Sequence, residues 1–319
     1  MKILITGGAG FIGSNLSEFH LKKNDEVFVV DNLITGSKAN IGALLKNPCF
    51  HFFEEDILNF QFSPPAGGFP SYFDIIYHLA SPASPVQYKK YPIETLRVNS
   101  EGTYRLLEYM KRNKSKIFVL ASTSEVYGDP KVHPQTESYW GNVNPVGVRS
   151  CYDEGKRFAE ALTISYFRKY NLDTRIARIF NTYGPNMEEN DGRVISNFVM
   201  QALTNKPITV YGDGKQTRSF CYVFDMVQAL SLLGTKQDIA GEIINVGNPE
   251  EYSIKEVASI IKKETESASE IILKPIDDDD PKQRQPDIIK AKKLLGWEPK
   301  VTFLEGLDKT ITYFRKRFV

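Results

Sequence analysis

The feature that most constrains this chain is a glycine-rich segment near its start, Gly7–Gly13. It lies between a short apolar run, Lys2–Thr6, and a helical pattern over residues 11–23, and its glycines satisfy the spacing G-x-G-x-x-G. Glycines at this spacing allow a tight turn and let the backbone approach a pyrophosphate, which the N–H groups of the following helix can bind. The segment therefore predicts the first strand, turn and helix of a dinucleotide-binding sheet.

Asp31, at the end of the next apolar run, refines this prediction. A carboxylate at the end of the second strand accepts hydrogen bonds from ribose hydroxyls and repels a 2′-phosphate. The position therefore favours NAD over NADP. The alternative is a purely structural turn that the aspartate only caps.

Short apolar runs alternate with longer helical patterns through the first half of the chain. Such alternation predicts βαβ crossovers and a mostly parallel sheet. The longer helical patterns cover residues 11–23, 92–112 and 151–170. The expected fold class is α/β, a Rossmann doubly wound parallel sheet with a smaller C-terminal substrate-binding lobe. The strands predicted for the sheet are Lys2–Thr6, Glu26–Asp31, Phe50–Glu54, Asp74–Leu79, Lys116–Ser122, Thr174–Phe180 and Gly241–Val246.

Elements become shorter, and Gly, Pro and Asn more frequent, after about residue 181. We therefore expect residues 1–180 to form the NAD-binding domain, residues 223–248 to return to it, and residues 181–319 to form mainly the substrate-binding lobe. Two further segments are expected to be exposed loops, the Pro/Gly-rich residues 61–71 and the acidic run Asp277–Asp280. The elements predicted for the lobe are helices at 193–204, 253–264, 287–295 and 304–316 and extended segments at Ile208–Tyr211 and Gln216–Tyr222.

The charge and the cysteine and histidine content exclude several classes of function. A formal net charge of +1 gives no reason to expect a nucleic-acid or membrane-surface partner. No apolar run approaches the roughly 20 residues of a membrane-spanning helix. The three widely spaced cysteines indicate a reducing compartment, and the four scattered histidines indicate no metal site. Because a strand follows Met1 directly, we expect no signal segment and a cytoplasmic location.

A Tyr-x-x-x-Lys pair, Tyr152 and Lys156, begins an uninterrupted helical pattern. This spacing places both side chains on one helix face, where the ammonium is expected to lower the phenol pKa for proton exchange with a sugar hydroxyl. By itself the pair is equally compatible with an ordinary amphipathic helix. The same spacing recurs at two places that turn residues interrupt, Tyr127/Lys131 and Tyr211/Lys215.

Polar residues follow the fifth predicted strand, Lys116–Ser122. Ligands of open parallel sheets bind at the carboxyl ends of the strands, so Thr123 and Glu125 are expected in the same crevice as Tyr152. Each residue could alternatively serve as a strand-end or turn cap. The arrangement makes Thr123, Glu125, Tyr152 and Lys156 the candidate catalytic group.

Several motifs resemble the extended short-chain dehydrogenase/reductase family, namely the Gly7–Gly13 loop, Thr123 and Tyr152-x-x-x-Lys156. Longer motifs over nearly the whole chain are similar to the UDP-glucuronate decarboxylases of that family. The segment 57–73 departs from the resemblance because it is longer and richer in Pro and Gly. The longer motifs are His78–Pro85, Ser122–Asp129, Tyr139–Pro145, Ser150–Lys156, Asn181–Pro185, Asp191–Asn197, Gln216–Phe220, Asp280–Asp287 and Leu295–Trp297.

The resemblance implies conversion of UDP-glucuronate to UDP-xylose through a 4-keto intermediate, with NAD reduced and then re-oxidised. In this scheme Tyr152 exchanges the proton of the C4 hydroxyl, Lys156 holds the cofactor ribose and Thr123 hydrogen-bonds the 4-oxygen. Glu125 assists proton transfer at C5. Arg218 offers a forked, permanently charged donor set to a carboxylate or, alternatively, to a phosphate.

Three other activities remain open at this level. A nucleotide-sugar 4,6-dehydratase is disfavoured because Ser124 occupies the position where such enzymes are expected to carry an aspartate. A 4-epimerase is disfavoured by the combination of Glu125 and Arg218. An NAD-sensing regulator without turnover is disfavoured because it has no need for the intact set of Thr123, Tyr152 and Lys156.

The resemblance also implies contacts to the ligands and a homodimer formed through helices 92–112 and 151–170. The catalytic set is Thr123, Ser124, Glu125, Tyr152, Lys156 and Arg218. The expected substrate contacts are Asn181, Arg193, Tyr211, Arg218 and Arg284. The expected NAD contacts are Gly7, Gly10, Phe11, Ile12, Gly13, Asp31, Asn32, Thr35, Gly36, Asp56, Ile57, Leu79, Ser81, Tyr152 and Lys156.

Overall fold

The computed structural model describes residues 1–62, 69–275 and 281–318. The predicted loop at Asp277–Asp280 lies outside the described residues, as does the central part of the predicted excursion at 61–71. The strands are β1 Lys2–Thr6, β2 Glu26–Asp31, β3 Phe50–Glu54, β4 Ile75–His78, β5 Ile117–Thr123, β6 Asp173–Ile179, β7 Thr182–Tyr183, β8 Ile208–Tyr211, β9 Thr217–Ser219, β10 Cys221–Tyr222, β11 Ile243–Val246, β12 Glu251–Ser253, β13 Ile271–Lys274 and β14 Gln283–Arg284.

The helices flank the main sheet and form much of the lobe. The α-helices are α1 Phe11–Lys22, α2 Lys38–Ile41, α3 Pro85–Lys90, α4 Pro92–Arg97, α5 Thr103–Asn113, α6 Ser150–Tyr170, α7 Val194–Leu203, α8 Val223–Thr235, α9 Ile254–Glu264, α10 Ile289–Leu295 and α11 Phe303–Phe318. Short 3₁₀ turns occur at Leu44–Lys46 and Ser124–Tyr127, and Val98–Gly102 is π-helical.

Seven parallel strands form the main sheet in the order β11-β6-β5-β4-β1-β2-β3. The predicted fold class is therefore confirmed. β11 pairs with β6 at the edge of this sheet, so the chain returns to the sheet after residue 223 through α8. The order reverses between β1 and β4, which is where open α/β sheets bind their ligands.

The central strands are buried on both faces, which explains their continuous apolar character. In β1, Ile3 and Ile5 join the core beneath α1 and α8, whereas Leu4 joins the core beneath α5 and α6. Alternate residues of a strand point to opposite faces of the sheet. A single apolar strand therefore contributes side chains to the hydrophobic cores on both faces of the sheet. This packing fixes the strands so that their carboxyl ends, which are followed by polar residues, lie along one edge of the sheet.

The predicted helical stretch 92–112 is helical throughout, but its middle turn, Val98–Gly102, is π-helical and separates α4 from α5. Within this stretch Asn99 Nδ2 donates to the carbonyl of Thr95 at 2.8 Å, and Thr103 Oγ1 donates to the carbonyl of Asn99 at 2.7 Å. Side-chain hydrogen bonds of this kind compete with the regular backbone pattern of a helix.

The C-terminal lobe is built from small sheets and the helices around them. β8 pairs with β13, and β9 lies between β12 and β14. The predicted segment Gln216–Tyr222 is two strands, because β9 and β10 belong to different sheets. Within the described part of the chain, none of the helices combines the length and apolarity that spanning a membrane requires.

Candidate active site

A cleft of about 970 Å³ lies at the carboxyl ends of the central strands, between the main sheet and the lobe. Its floor includes the glycine-rich turn and the ends of β1, β2, β4 and β5, and lobe residues form the opposite wall. The volume is at the upper end of the range for small-molecule sites, which suits an extended ligand. All of the residues predicted to contact NAD line this one cleft.

The glycine turn fits a pyrophosphate. Gly7 has φ +75°, and a Cβ there would lie 2.7 Å from the backbone nitrogen of Ala80. A Cβ on Gly13 would lie 2.2 Å from the carbonyl oxygen of Gly7. α1 then begins at Phe11 with no side-chain cap and no acidic residue in its first turn. Its N–H groups and the positive end of its dipole therefore face the cleft without a competing side-chain anion.

Asp31, predicted to accept hydrogen bonds from the cofactor ribose, also forms hydrogen bonds within the protein. Its Oδ2 accepts a hydrogen bond from the Ala9 backbone at 2.9 Å, and its Oδ1 accepts one from the Leu33 backbone at 2.8 Å. Burial raises the pKa of this carboxyl, and the two backbone hydrogen bonds oppose that rise. The carboxylate thus organises the glycine loop that it borders. Beside it, Asn32 Nδ2 donates to Asp56 Oδ2 at 2.9 Å.

Thr123, Tyr152 and Lys156 meet at the centre of the cleft. β5 ends at Thr123, and its side chain forms a hydrogen bond with the buried Tyr152 phenol. Lys156, one turn further along α6, lies with its Nζ 5.8 Å from the Tyr152 ring centroid. That Nζ donates to the carbonyl of Ala121 at 2.8 Å, which fixes the ammonium beneath the tyrosine.

The expected lowering of the Tyr152 pKa is wrong for the protein alone. Burial raises the pKa of the Tyr152 phenol, and the hydrogen bond with Thr123 opposes the rise. Burial also lowers the pKa of Lys156 to about 7, against the attraction of Glu160. Desolvation disfavours both charged forms, so proximity alone does not create a phenolate here.

Tyr88 of α3 packs against the ring of the candidate catalytic tyrosine, Tyr152. Its ring stacks on that of Tyr152 with centroids 5.1 Å apart and an interplanar angle of 7°. The Tyr88 hydroxyl is buried and finds no hydrogen-bond partner among the described residues. Because the residue also lines the cleft, this hydroxyl is available to a bound ligand. Tyr88 was not predicted from the sequence, although it follows the His78–Pro85 motif by only three residues.

Glu125 is held between arginines. Its Oε2 accepts hydrogen bonds from Arg149 and, at 3.1 Å, from Arg284 Nη2. Burial favours the neutral acid, but the two guanidinium groups, with a contribution from Arg218, bring the pKa of Glu125 down to about 2. The side chain is therefore a carboxylate at neutral pH. Arg149 was not predicted from the sequence, and its position one helical turn before Tyr152 was the available signal.

The predicted substrate residues divide into two groups. Arg284 is fully buried, donates to the carbonyl of Ser124 and to Glu125, and is not among the described residues that line the cleft. Its position is that of a support for Glu125 rather than of a nucleotide contact. The residues of the other group, which do line the cleft, are Ser124, Asn181, Arg193, Tyr211 and Arg218.

Arg218 and Arg193 are both held by neighbours at the cleft wall. Arg218 Nη2 donates to the carbonyl of Pro281 at 2.6 Å, and its Nη1 donates to that of Thr217 at 2.8 Å. Arg193 Nε donates to Asp191 Oδ2 at 2.7 Å. Both guanidinium groups are oriented by these contacts and line the cleft, and that of Arg193 forms an ion pair with Asp191.

Comparison with known proteins places this site in a family. The family model described as GDP-mannose 4,6 dehydratase matches residues 4–310. UDP-glucuronic acid decarboxylase 6 of Arabidopsis thaliana is 51% identical over 318 residues, which cover 99% of this chain and 90% of that protein. UDP-glucuronic acid decarboxylase 1 of Xenopus tropicalis is 50% identical over 317 residues, covering 99% of this chain and 72% of that protein.

A similar solved structure is that of a UDP-glucuronic acid 4-epimerase from Bacillus cereus in complex with UDP-glucuronic acid and NAD. It is 33% identical, covers both chains completely and superposes with a TM-score of 0.90. The dTDP-glucose 4,6-dehydratase DesIV of Streptomyces venezuelae, solved with NAD bound, is 28% identical, covers 99% of this chain and 98% of that chain, and has a TM-score of 0.88. The chain belongs to the extended short-chain dehydrogenase/reductase family and, within it, to the group of UDP-glucuronic acid decarboxylases.

Proposed function

We propose that this protein decarboxylates UDP-glucuronate to UDP-xylose through a 4-keto intermediate, with NAD as resident cofactor. The observation that carries the proposal is the joining of two groups in one cleft. The Thr123–Tyr152–Lys156 group suits oxidation at a sugar hydroxyl, and the guanidinium groups of Arg149 and Arg218, which line the same cleft, suit a substrate that carries a carboxylate. Identity of about half of all residues to UDP-glucuronic acid decarboxylases supports the same activity.

The first task of the site is removal of the C4 hydroxyl proton. The Tyr152 oxygen is the acceptor in its phenolate form, which requires prior loss of the phenol proton, and Thr123 holds this oxygen by a hydrogen bond. The glycine turn and Asp31 would hold NAD, which would supply the hydride acceptor for C4 in the first step and the hydride donor in the last. Lys156 lies below the tyrosine, and its lowered pKa lets it gain or lose a proton near neutrality and compensate the charge on the phenol.

Oxidation at C4 places a ketone next to the carbon that bears the carboxylate, which makes the sugar a β-keto acid. Loss of CO2 then leaves an enolate whose negative charge lies largely on the 4-oxygen. Hydrogen bonds from Tyr152 and Thr123 to that oxygen stabilise the charge where it develops, which is the most effective way to accelerate the step. The site needs no acid for a leaving hydroxyl, in agreement with serine at position 124.

The arginine cluster has two tasks in this scheme. Arg149 and Arg218 line the cleft and give it positive charge, which attracts the substrate carboxylate. Glu125, ionised because of its lowered pKa, takes up a proton from solvent and passes it to C5 of the enolate. Arg284, which does not line the cleft, positions Glu125 by a hydrogen bond to its carboxylate. These assignments and the nucleotide contacts of Asn181, Arg193 and Tyr211 are part of the proposal.

A product analysis tests the proposed function. The protein is incubated with UDP-glucuronate, and released CO2 and nucleotide sugars are measured, with Tyr152→Phe as the inactive control. We expect equal amounts of CO2 and UDP-xylose without a stoichiometric supply of NAD. UDP-galacturonate without CO2 would instead identify a 4-epimerase, and a 4-keto-6-deoxy product from an uncharged nucleotide hexose would identify a dehydratase. Either result would overturn the proposal.

We further propose that two chains pair through α4, α5 and α6. Apolar and aromatic side chains on these helices are exposed in the single chain, among them Ile93, Tyr104 and Phe158. Pairing would bury them in a four-helix interface to which each chain contributes α6 and the continuous helical stretch 92–113. A dimer is expected in light scattering coupled to gel filtration, and a monomer for Phe158→Glu. A monomeric parent protein would contradict this part of the proposal.

A cytoplasmic location completes the proposal. Its support is that Cys49, Cys151 and Cys221 are all free thiols, which suits a reducing compartment. Fractionation of the source cells, with the protein detected by antibody, tests it. Recovery in a membrane or secreted fraction would contradict it.

A further inference from the structure

A segment of the lobe between β7 and α7, residues 185–193, contacts the main domain beside the glycine-rich turn, and we call it the strap. Most of its residues line the same cleft as Gly7, Gly10 and Gly13. The proposed reaction uses one residue of the strap, Arg193, as a nucleotide contact. The remainder of this part of the cleft wall has no task in the reaction, although several side chains hold it to the main domain.

Asn15 joins the strap to the first turn of α1. Its Nδ2 donates to the carbonyl oxygen of Phe11, the first residue of α1, at 2.9 Å and to that of Pro185, the first residue of the strap, at 3.0 Å. An amide NH2 group carries two hydrogens, so one side chain can hold a carbonyl on each side of the contact. Asn15 is not among the described residues that line the cleft, so it can affect a bound cofactor only through these contacts.

Asn40 and Asn186 form a second junction of the same kind. Asn40 Nδ2, on α2, donates to the carbonyl oxygen of Ala9 in the glycine-rich turn at 3.1 Å and to that of Asn186 in the strap at 3.4 Å. Asn186 Nδ2 donates to Ser14 Oγ on α1 at 3.0 Å. Asn186 has φ +71°, a left-handed conformation that asparagine adopts more readily than most residues. In this conformation both its carbonyl oxygen and its side chain contact the main domain.

The strap also contacts α3, the helix that carries Tyr88. Gln87 Nε2 donates to Glu188 Oε2 at 3.3 Å. Gly192, with φ +81°, lies so close to Val86 that an added Cβ would be 2.6 Å from Val86 Cγ2. The strap is therefore attached near its start to the glycine-rich turn and α1, and further along to α3. A dinucleotide bound on the turn lies between the turn and the strap, because both line one cleft.

We propose that Asn15, Asn40 and Asn186 are positioning residues that hold the strap to the glycine-rich turn and so keep the cofactor in the cleft between the two hydride transfers. The inference rests on the proposed function, because a cycle that reduces and re-oxidises one cofactor molecule needs it to stay bound. The cofactor leaves when the strap separates from α1 and α2. Each of these hydrogen bonds contributes modestly, so together they slow the exchange of cofactor without preventing it.

The release rate of reduced cofactor tests this role without any substrate. The protein is loaded with NADH, and the change in NADH fluorescence is followed after mixing with an excess of NAD. Asn15→Ala removes both hydrogen bonds of the amide and introduces a good helix former. Asn186→Gly removes the hydrogen bond to Ser14 and retains a residue that tolerates positive φ. We expect each variant to release NADH about three- to tenfold faster than the parent protein, as for the loss of one hydrogen bond.

Asn113→Ala is the matched control. Asn113 Nδ2 donates to the carbonyl oxygen of Tyr109, four residues earlier on its helix, at 3.1 Å, which is the bond that Asn15 makes to Phe11. Asn113 is not among the described residues that line the cleft. The control therefore removes the same local hydrogen bond without touching the strap, and its NADH release should equal that of the parent protein.

Product analysis provides a second measurement, which separates cofactor retention from a general loss of structure. If the cofactor is lost after decarboxylation, UDP-glucuronate and NAD give UDP-4-keto-pentose, CO2 and NADH, which balances the two electrons of the oxidation. For Asn15→Ala and Asn186→Gly we expect a larger share of UDP-4-keto-pentose and a requirement for added NAD. The rate of cofactor reduction in a single turnover at saturating NAD should stay within about twofold of the parent value.

The outcomes separate this inference from the proposed function. Unchanged NADH release in both Asn15→Ala and Asn186→Gly would overturn the role of the strap, as would an equal acceleration in Asn113→Ala. A fall in the rate of cofactor reduction without any change in the ratio of UDP-4-keto-pentose to UDP-xylose would also contradict it, because that pattern indicates a structural role. Absence of CO2 when the parent protein is given UDP-glucuronate would overturn the proposed function alone, since the release measurement contains no sugar nucleotide.

Discussion

The aromatic rings of Tyr88 and Tyr152 lie parallel, with 5.1 Å between their centroids. Tyr88 belongs to a short helix after β4, whereas Tyr152 lies in the first turn of the long helix α6. The stack restricts the phenol of Tyr152 to the plane in which it meets Thr123 and the cleft. The orientation of the central proton acceptor is therefore set from outside its own helix.

Replacing Tyr88 tests this orientation. Tyr88→Leu removes the stack, which is worth about 0.5–1.5 kcal/mol, and we expect kcat to fall by roughly three- to tenfold. Tyr88→Phe keeps the ring and should retain kcat within about threefold. Steady-state rates of UDP-xylose formation give the comparison. Equal kcat values for the two variants would show that the ring stack does not position Tyr152.

Tyr152→Phe is expected to abolish turnover and to leave NAD bound. The ring, its stacking and the glycine turn are unchanged, but the proton acceptor for the C4 hydroxyl is lost. A loss of at least about a hundredfold in kcat is typical for removal of a general base. NAD content after denaturation of the purified variant, together with UDP-xylose formation, provides the measurement. Tyr170→Phe at the exposed end of the same helix serves as control; substantial activity in Tyr152→Phe would refute the assignment.

Glu125→Gln should separate the steps of the cycle. Oxidation at C4 depends on Tyr152 and Thr123, whereas the steps at C5 depend on Glu125, so oxidation should be slowed less than reprotonation at C5. Reduced cofactor should then accumulate in a single turnover and can be followed by its absorbance. We expect kcat to fall by about 10²- to 10⁴-fold. Loss of activity without any accumulation of reduced cofactor would place Glu125 in the oxidation step instead.

Gly13→Ala should prevent retention of the cofactor. The added Cβ would lie 2.2 Å from the Gly7 carbonyl oxygen, so the turn and the start of α1 must separate. The parent protein is expected to purify with NAD and to need no added oxidant, because the cofactor reduced first must remain for the last step. Gly42→Ala is the control, since its Cβ would make only an ordinary contact of 3.5 Å with the Lys38 carbonyl oxygen. Full NAD content in Gly13→Ala would contradict the assignment of the Gly7–Gly13 turn as the pyrophosphate-binding site.

The stability of the protein should depend on pH through Asp153. Its pKa is raised from 3.8 to about 8 on folding, so the folded state holds the proton more tightly than the unfolded state. The stability that this proton contributes is complete below pH 3.8 and is lost as the pH rises through 8. The free energy of unfolding of Asp153→Asn, relative to the parent, should therefore increase between these pH values by a few kcal/mol, at about 1.4 kcal/mol per pKa unit. Urea unfolding at several pH values measures the difference; a constant difference would contradict the shift.

Local patterns in the chain determined much of this protein. The glycine spacing, the position of Asp31 and the alternation of apolar runs with helical patterns predicted β1 to β6, and the structure has these strands within one or two residues of the predicted bounds. The long helix that begins with Tyr152 was equally predictable. In each case a few neighbouring residues are enough to determine the element, because turn geometry, strand burial and helix spacing act over short stretches of chain.

The charge and orientation of the site were decided only by the tertiary structure. Glu125 is an anion because Arg149 and Arg284, the latter 159 residues away along the chain, both pair with it. Tyr152 is oriented by Tyr88, which belongs to a different helix. The family resemblance assigned Arg284 to the nucleotide, and the Tyr-x-x-x-Lys spacing led us to expect that Lys156 lowers the Tyr152 pKa. Whether either expectation holds depends on how deeply the side chains are buried and on which residues from distant parts of the chain lie beside them. Desolvation and ion pairing between distant residues cannot be read from the order of residues along the chain.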